Sequence, residues 1–180
     1  RGGVSHLIEH LVFKGTATRS AEVIARTMDS VGGQMDAFTT KENTCFYVHV
    51  LDEHLPLAVD LLTDILLHPL FHAEELEREK SVVLQEIRMV EDTPDDIIHD
   101  LFAAQIWGTH PLARPILGTR ELVTNFQRDA IAEHFGEEYV PPRIIIAVAG
   151  NVTHEQVVEL FGRGFNGYTR PGRTRASQAV

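Results

Sequence analysis

Gly3-Val4-Ser5-His6-Leu7-Ile8-Glu9-His10-Leu11-Val12-Phe13-Lys14-Gly15-Thr16 is the stretch on which the chain's interpretation turns. Val4 to Lys14 reads as a helix, with Leu7, Leu11 and Val12 as an apolar stripe and Gly15 as a stop. Each helical residue turns ~100°, so side chains four apart share a face. His6 and His10 therefore stack, and their imidazoles can reach one metal ion at the ~2.0–2.1 Å that zinc prefers. Glu9 flanks the same face, close enough to meet a water at the metal without being a ligand. The order is the reverse of the commoner His-Glu-x-x-His. A solvated surface helix would carry the same five residues without a metal. The apolar neighbours Leu7, Ile8, Leu11, Val12 and Phe13 weigh against that reading, because ionisable groups buried among them need a partner.

Outward from this helix, Ser20 is placed to cap a second one, Ala21 to Val31, ending at Gly32-Gly33. The period then changes. Gln34 to Thr39 and Thr44 to Leu51 are rich in β-branched and aromatic residues and predict a hairpin turning at Lys41-Glu42-Asn43. Phe38, Phe46 and Tyr47 are expected in its core. Helical spacing returns in Glu53 to His68 and in Ala73 to Glu91, and Pro94 opens a further helix, Asp95 to Trp107. Gly108 to Gly118 is expected to be an ordered loop, followed by short helices at Arg120 to Asn125 and Arg128 to Phe135. Arg143 to Ala149, rich in Ile and Val, reads as a buried strand, and Thr153 as the cap of a last helix, His154 to Phe161. The expected class is α+β, a layered sheet with helices packed on one face. Residues 1–168 form the domain and 169–180 a linker or tail.

Composition narrows the function. The 180 residues are 43% hydrophobic with a formal net charge of −10, enough for one core but wrong for a nucleic-acid partner. The only basic cluster, Arg170, Arg173 and Arg175, lies in the tail. One cysteine, Cys45, excludes an internal disulfide framework. No apolar run approaches the ~18 residues of a membrane span. The chain opens at Arg1 and is read as starting inside a longer protein, so the lack of a visible signal peptide carries no weight.

A catalytic zinc takes three protein ligands and keeps one position open. Glu79 and Glu86, seven apart on the Ala73 to Glu91 helix with Val82, Val83 and Val90 nearby, are candidates for the third. Spacing leaves a solvated acidic stripe equally open, since Glu74, Glu75, Glu77 and Glu91 share that helix. A structural zinc site would close the fourth position, and Cys45 is the only thiol available. A plain helical scaffold would bind no metal.

The segment Gly3 to Thr16 resembles the active-site helix of the pitrilysin/insulinase family of zinc peptidases. It is most similar to the branch holding the mitochondrial processing peptidase β subunit and its bacterial relatives. Glu77-Arg-Glu-Lys-Ser-Val-Val-Leu-Gln-Glu-Ile-Arg88 resembles the family's second motif, and likeness continues through Asp92 to Asp95, His110 to Thr119 and Ile144 to Gly150. The resemblance implies the N-terminal half of a metallopeptidase of the processing-peptidase type, whose first strands this chain lacks. It implies Zn2+ held by His6, His10 and Glu86, Glu9 as the base that activates water at the metal, and Glu79 as a supporting carboxylate. Gly33 to Thr40 resembles the edge strand that takes extended peptides, which puts Asp36, Ala37, Phe38 and Thr39 at the substrate; a plain core hairpin is the alternative. The implied partners are a peptide or unfolded polypeptide and a second homologous half-domain or subunit. The fragment alone is expected to bind zinc but cleave poorly. A non-catalytic peptide-binding subunit of the same fold is the competing reading, disfavoured because every motif residue is present. The bacterial cytoplasm or periplasm is favoured over the mitochondrial matrix.

Overall fold

The computed structural model describes residues 2–168, so the tail at 169–180, with its three arginines, lies outside the described residues. In chain order the elements are α1 (Val4–Val12), α2 (Ala21–Ser30), β1 (Gln34–Thr39), β2 (Thr44–His49), α3 (Leu55–Leu67), α4 (Ala73–Asp92) and α5 (Pro94–Trp107). α6 (Arg120–Asn125), α7 (Arg128–Glu138) and α8 (His154–Gly164) complete them. The fold is α+β and mostly helical, with a small two-stranded sheet among the described residues.

Helix α1 sits at the centre. Val4, Leu7, Ile8, Leu11 and Val12 are buried, which leaves His6, Glu9 and His10 half-buried on the opposite side. Its neighbours are α4, both strands and α7, and the main apolar cluster joins it to Ile65, Leu76, Val83, Ile87, Val123, Ile131 and Phe135. One helix thus separates the core from the candidate site.

Two contacts fix where α1 lies. At its start, Gly3 and Gly118 adopt left-handed φ of +84° and +78° and their backbones touch. A Cβ on Gly3 would meet the Leu117 carbonyl oxygen at 2.6 Å, so a side chain there would push the helix off the loop. Beyond its end, Thr16 and Thr18 donate hydrogen bonds of 2.8 and 2.9 Å to the buried Asp64 of α3, and Arg19 donates another of 2.7 Å. Burial pushes the Asp64 carboxyl up, but these three bonds outweigh it and hold it below the ordinary carboxylate value.

The hairpin is antiparallel, running from Gln34 opposite His49 to Thr39 opposite Thr44, with Thr40 N–H closing the turn onto the Asn43 carbonyl at 2.8 Å. Ser20 and Thr153 cap α2 and α8 as expected from sequence, Thr153 within a capping box with Gln156.

Two expectations need correcting. Arg143 to Ala149 is not a strand: Pro141–Arg143 form a 3-10 turn, the next residues have no strand partner among the described residues, and Ile145 is 94% exposed. β-Branched residues permit extension, but a strand also requires an edge to pair with. A groove of about 1060 Å³ is lined by β2, by α3 and by this segment itself. Phe38 is also not core. It is 49% exposed, because the β1 alternation turns Gln34, Asp36 and Phe38 outward. Phe46 does pack against the core.

Candidate metal centre

α1 and α4 run antiparallel where they meet. His6 faces Glu86, and His10, one turn on, faces Glu79, two turns back along α4. Each element supplies what its pattern allows: α1 two rings four residues apart, α4 two carboxylates seven apart.

Nε2 of His6 lies 3.7 Å from Glu86 Oε2, and Nε2 of His10 lies 3.8 Å from Glu86 Oε1. One donor atom from each of the three residues falls within 4.8 Å of the other two. Oε2 of Glu86 and Nδ1 of His6 are buried with no hydrogen-bond partner. A carboxylate with one orphaned oxygen, set against two imidazole nitrogens, is costly in a protein alone, and a divalent cation would satisfy it. Two imidazoles and a carboxylate are the donor set of open zinc sites.

The electrostatics suit this. Burial, with the neighbouring His10 adding to it, lowers the His6 pKa to about 4, so the ring is neutral and its lone pair available near pH 7. Glu9 is pushed above the ordinary glutamate value chiefly by burial, with Asp36 and Glu86 adding to it and the Thr39 hydrogen bond and His10 opposing. Thr39 donates its hydroxyl to Glu9 Oε2, and its oxygen is 3.2 Å from that of Thr44. Thr44 in turn hydrogen-bonds Tyr139, whose phenol burial drives up to about 12, so it stays protonated. A run of hydroxyls therefore backs Glu9.

Glu79 is placed otherwise. Its side chain is 7% exposed; Oε2 is 3.0 Å from His10 Nδ1 and Oε1 is 2.7 Å from Lys14 Nζ. It contacts the outer nitrogen of His10 and so stands behind the ring.

Asp36, Ala37 and Phe38 lie on β1, whose only strand partner among the described residues is β2. Thr39, next to them on the same strand, directs its hydroxyl to Glu9. Lys14 was not singled out from the sequence; its one available signal is the four-residue spacing from His10 within the helix expected over Val4 to Lys14, although α1 ends at Val12. Of the remaining histidines, His68 faces Asp64 at 3.5 Å and His110 accepts the Leu112 N–H at 3.2 Å; neither joins the cluster.

Residues 1–120 match the family described as Insulinase (peptidase family M16). The chain belongs to this family of peptidases. It is 45% identical over 171 residues to the uncharacterized zinc protease YmxG of Bacillus subtilis, which covers 95% of this chain and 42% of that protein. It is 44% identical over 171 residues to the uncharacterized zinc protease Rv2782c of Mycobacterium tuberculosis, covering 95% and 39%. The chain therefore spans about two fifths of the length of these relatives.

Among solved structures, a protease from Helicobacter pylori superposes with a TM-score of 0.89 at 22% identity, over 99% of this chain and 43% of that one. An M16 peptidase inactive domain from Pseudomonas fluorescens superposes at 0.88 and 18% identity, over 99% and 44%. Both likenesses concern the fold. No helix among the described residues is long and apolar enough to cross a membrane.

Proposed function

We propose that the protein is a zinc metalloendopeptidase acting on extended peptides, with His6, His10 and Glu86 as the metal ligands and Glu9 as the general base. The observation that supports this most is the convergence of His6 Nε2, His10 Nε2 and Glu86 on one point, with a buried Glu86 oxygen left unpaired. The names of the relatives agree with zinc and with proteolysis.

When bound, zinc polarises the scissile carbonyl and lowers the pKa of water to about 7. Glu9 takes the proton of the attacking water and passes it to the leaving amine, so the peptide bond breaks as a C–O bond forms. Its raised pKa suits both halves of that transfer, since a carboxyl nearer neutrality both accepts and releases a proton readily. Thr39 holds the carboxylate in place through its hydroxyl. His6, kept neutral by burial, offers its lone pair without first losing a proton. Glu79 orients His10 from behind.

The edge of β1 away from β2, unpaired among the described residues, takes the substrate by strand addition, reading backbone at Asp36 to Thr39 and leaving Phe38 exposed beside it. Residues 1–168 act as the catalytic half-domain, 169–180 as a connector, and the second half lies in the portion of the relatives' length that this chain does not span. The inactive M16 domain of Pseudomonas fluorescens has the same fold, so fold alone does not distinguish an enzyme from a binding subunit. The intact motif favours the enzyme.

Cleavage of a fluorogenic peptide by the intact protein tests this. Glu9→Gln is expected to lower kcat by at least about 10²-fold while bound zinc, measured by atomic absorption, stays at the wild-type level. Turnover undiminished in Glu9→Gln would overturn the assignment.

A further inference from the structure

We infer that Lys14 is a positioning residue for the metal centre, acting on His10 through Glu79. This rests on the zinc site proposed above and adds a member to it.

Each Glu79 oxygen has one partner: Oε2 meets His10 Nδ1 at 3.0 Å and Oε1 meets Lys14 Nζ at 2.7 Å. His10 lies in the last turn of α1 and Lys14 two residues past its end, so the carboxylate ties the helix to the turn that follows it. Glu79 is 5% exposed overall, and a carboxylate so buried needs a cation beside it. Lys14 is the lysine or arginine that pairs with it among the described residues, its own side chain 33% exposed.

Two consequences follow for His10. With Lys14 held on Oε1, the carboxylate plane is fixed and Oε2 points at the ring. Accepting the Nδ1–H then fixes the tautomer, leaving the Nε2 lone pair directed at Glu86 and His6. Without Lys14, Oε1 has no partner, the carboxylate can turn, and both the orientation and the tautomer of His10 loosen.

A purely through-space role predicts the opposite sign, because removing a positive charge near a dication tightens its binding. The two accounts are therefore separable by direction alone.

Zinc affinity of the intact protein, measured by chelator competition, is the first readout. Lys14→Met, which keeps the aliphatic stem, is expected to weaken zinc about 3–10-fold, short of the ~10–100-fold typical of a group touching the ligand itself. Lys14→Arg restores the affinity. In a Glu79→Gln background Lys14→Met has no further effect. Unchanged or tighter zinc in Lys14→Met, or full additivity with Glu79→Gln, overturns the inference.

The second readout needs no metal, and its first arm needs no variant. In 15N-histidine spectra of the metal-free wild type, His10 is expected as the Nδ1–H tautomer, and Lys14→Met mixes the two tautomers while leaving His6 unchanged. An Nε2–H His10 in the wild type overturns the inference even if every variant misfolds. Failure of the wild type to bind zinc would instead bring down the metal-site proposal, and this inference with it.

Discussion

His6 and His10 lie one turn apart with ring centroids 4.6 Å from each other, yet they are kept ready by different means. His10 has an ion-paired carboxylate behind it: Nδ1 on Glu79, and Glu79 on Lys14. His6 has nothing of the kind, and its Nδ1 is buried without a partner. Burial, with the neighbouring His10 adding to it, deprives His6 of its proton, down to a pKa of about 4. The site is therefore asymmetric: hydrogen bonding orients one ring, and packing plus desolvation confine the other.

That contrast can be broken or sharpened by experiment. The largest effect is expected from Glu86→Gln, which removes the carboxylate facing both rings. Zinc affinity should fall by more than about 100-fold, and equilibrium dialysis with retained zinc would show that Glu86 is no ligand. Of the three proposed ligands Glu79 touches only His10, and Glu79→Gln should cost about 10-fold or somewhat more, read by the same titration. A loss as deep as that of Glu86→Gln would make Glu79 a direct ligand and erase the distinction between front and back of the ring.

The smallest effect concerns His6 in the metal-free protein. Its folded pKa of about 4 lies below the unfolded value near 6.5, so the unfolded chain binds the proton first as pH falls. The neutral ring's contribution is complete above pH 6.5 and is lost as pH falls from there towards 4. Between pH 7 and 5.5 this should remove about 1 kcal/mol of stability in denaturant titrations, and His6→Ala should abolish that part of the slope. An equal slope in His6→Ala would mean that burial does not hold the ring neutral.

The same contrast between local and remote support explains what sequence could reveal. Val4 to Val12 and Ala73 to Asp92 declare themselves because helix periodicity is local, and the spacings His6–His10 and Glu79–Glu86 already put each pair on one face. The hairpin was legible for the same reason, its alternation and turn residues lying within 16 positions, Gln34 to His49. Ile144 to Ala149 misled because strand formation depends on a partner edge, which no local pattern encodes. Lys14 was invisible because its meaning arises only where Glu79, 65 residues further on, docks beside it. The bond from the Thr39 hydroxyl to Glu9 was equally hidden, because it depends on how the hairpin lies over α1.

The central claim is one zinc ion held by two imidazoles and one carboxylate, with one side open to solvent. Zinc K-edge absorption spectroscopy on the protein loaded with one equivalent of zinc tests it most directly. The account predicts a first shell of nitrogen and oxygen only, at about 2.0–2.1 Å, with outer-shell scattering from two imidazole rings. Sulfur at about 2.3 Å, which would bring Cys45 to the metal, or a shell without imidazole, would contradict it.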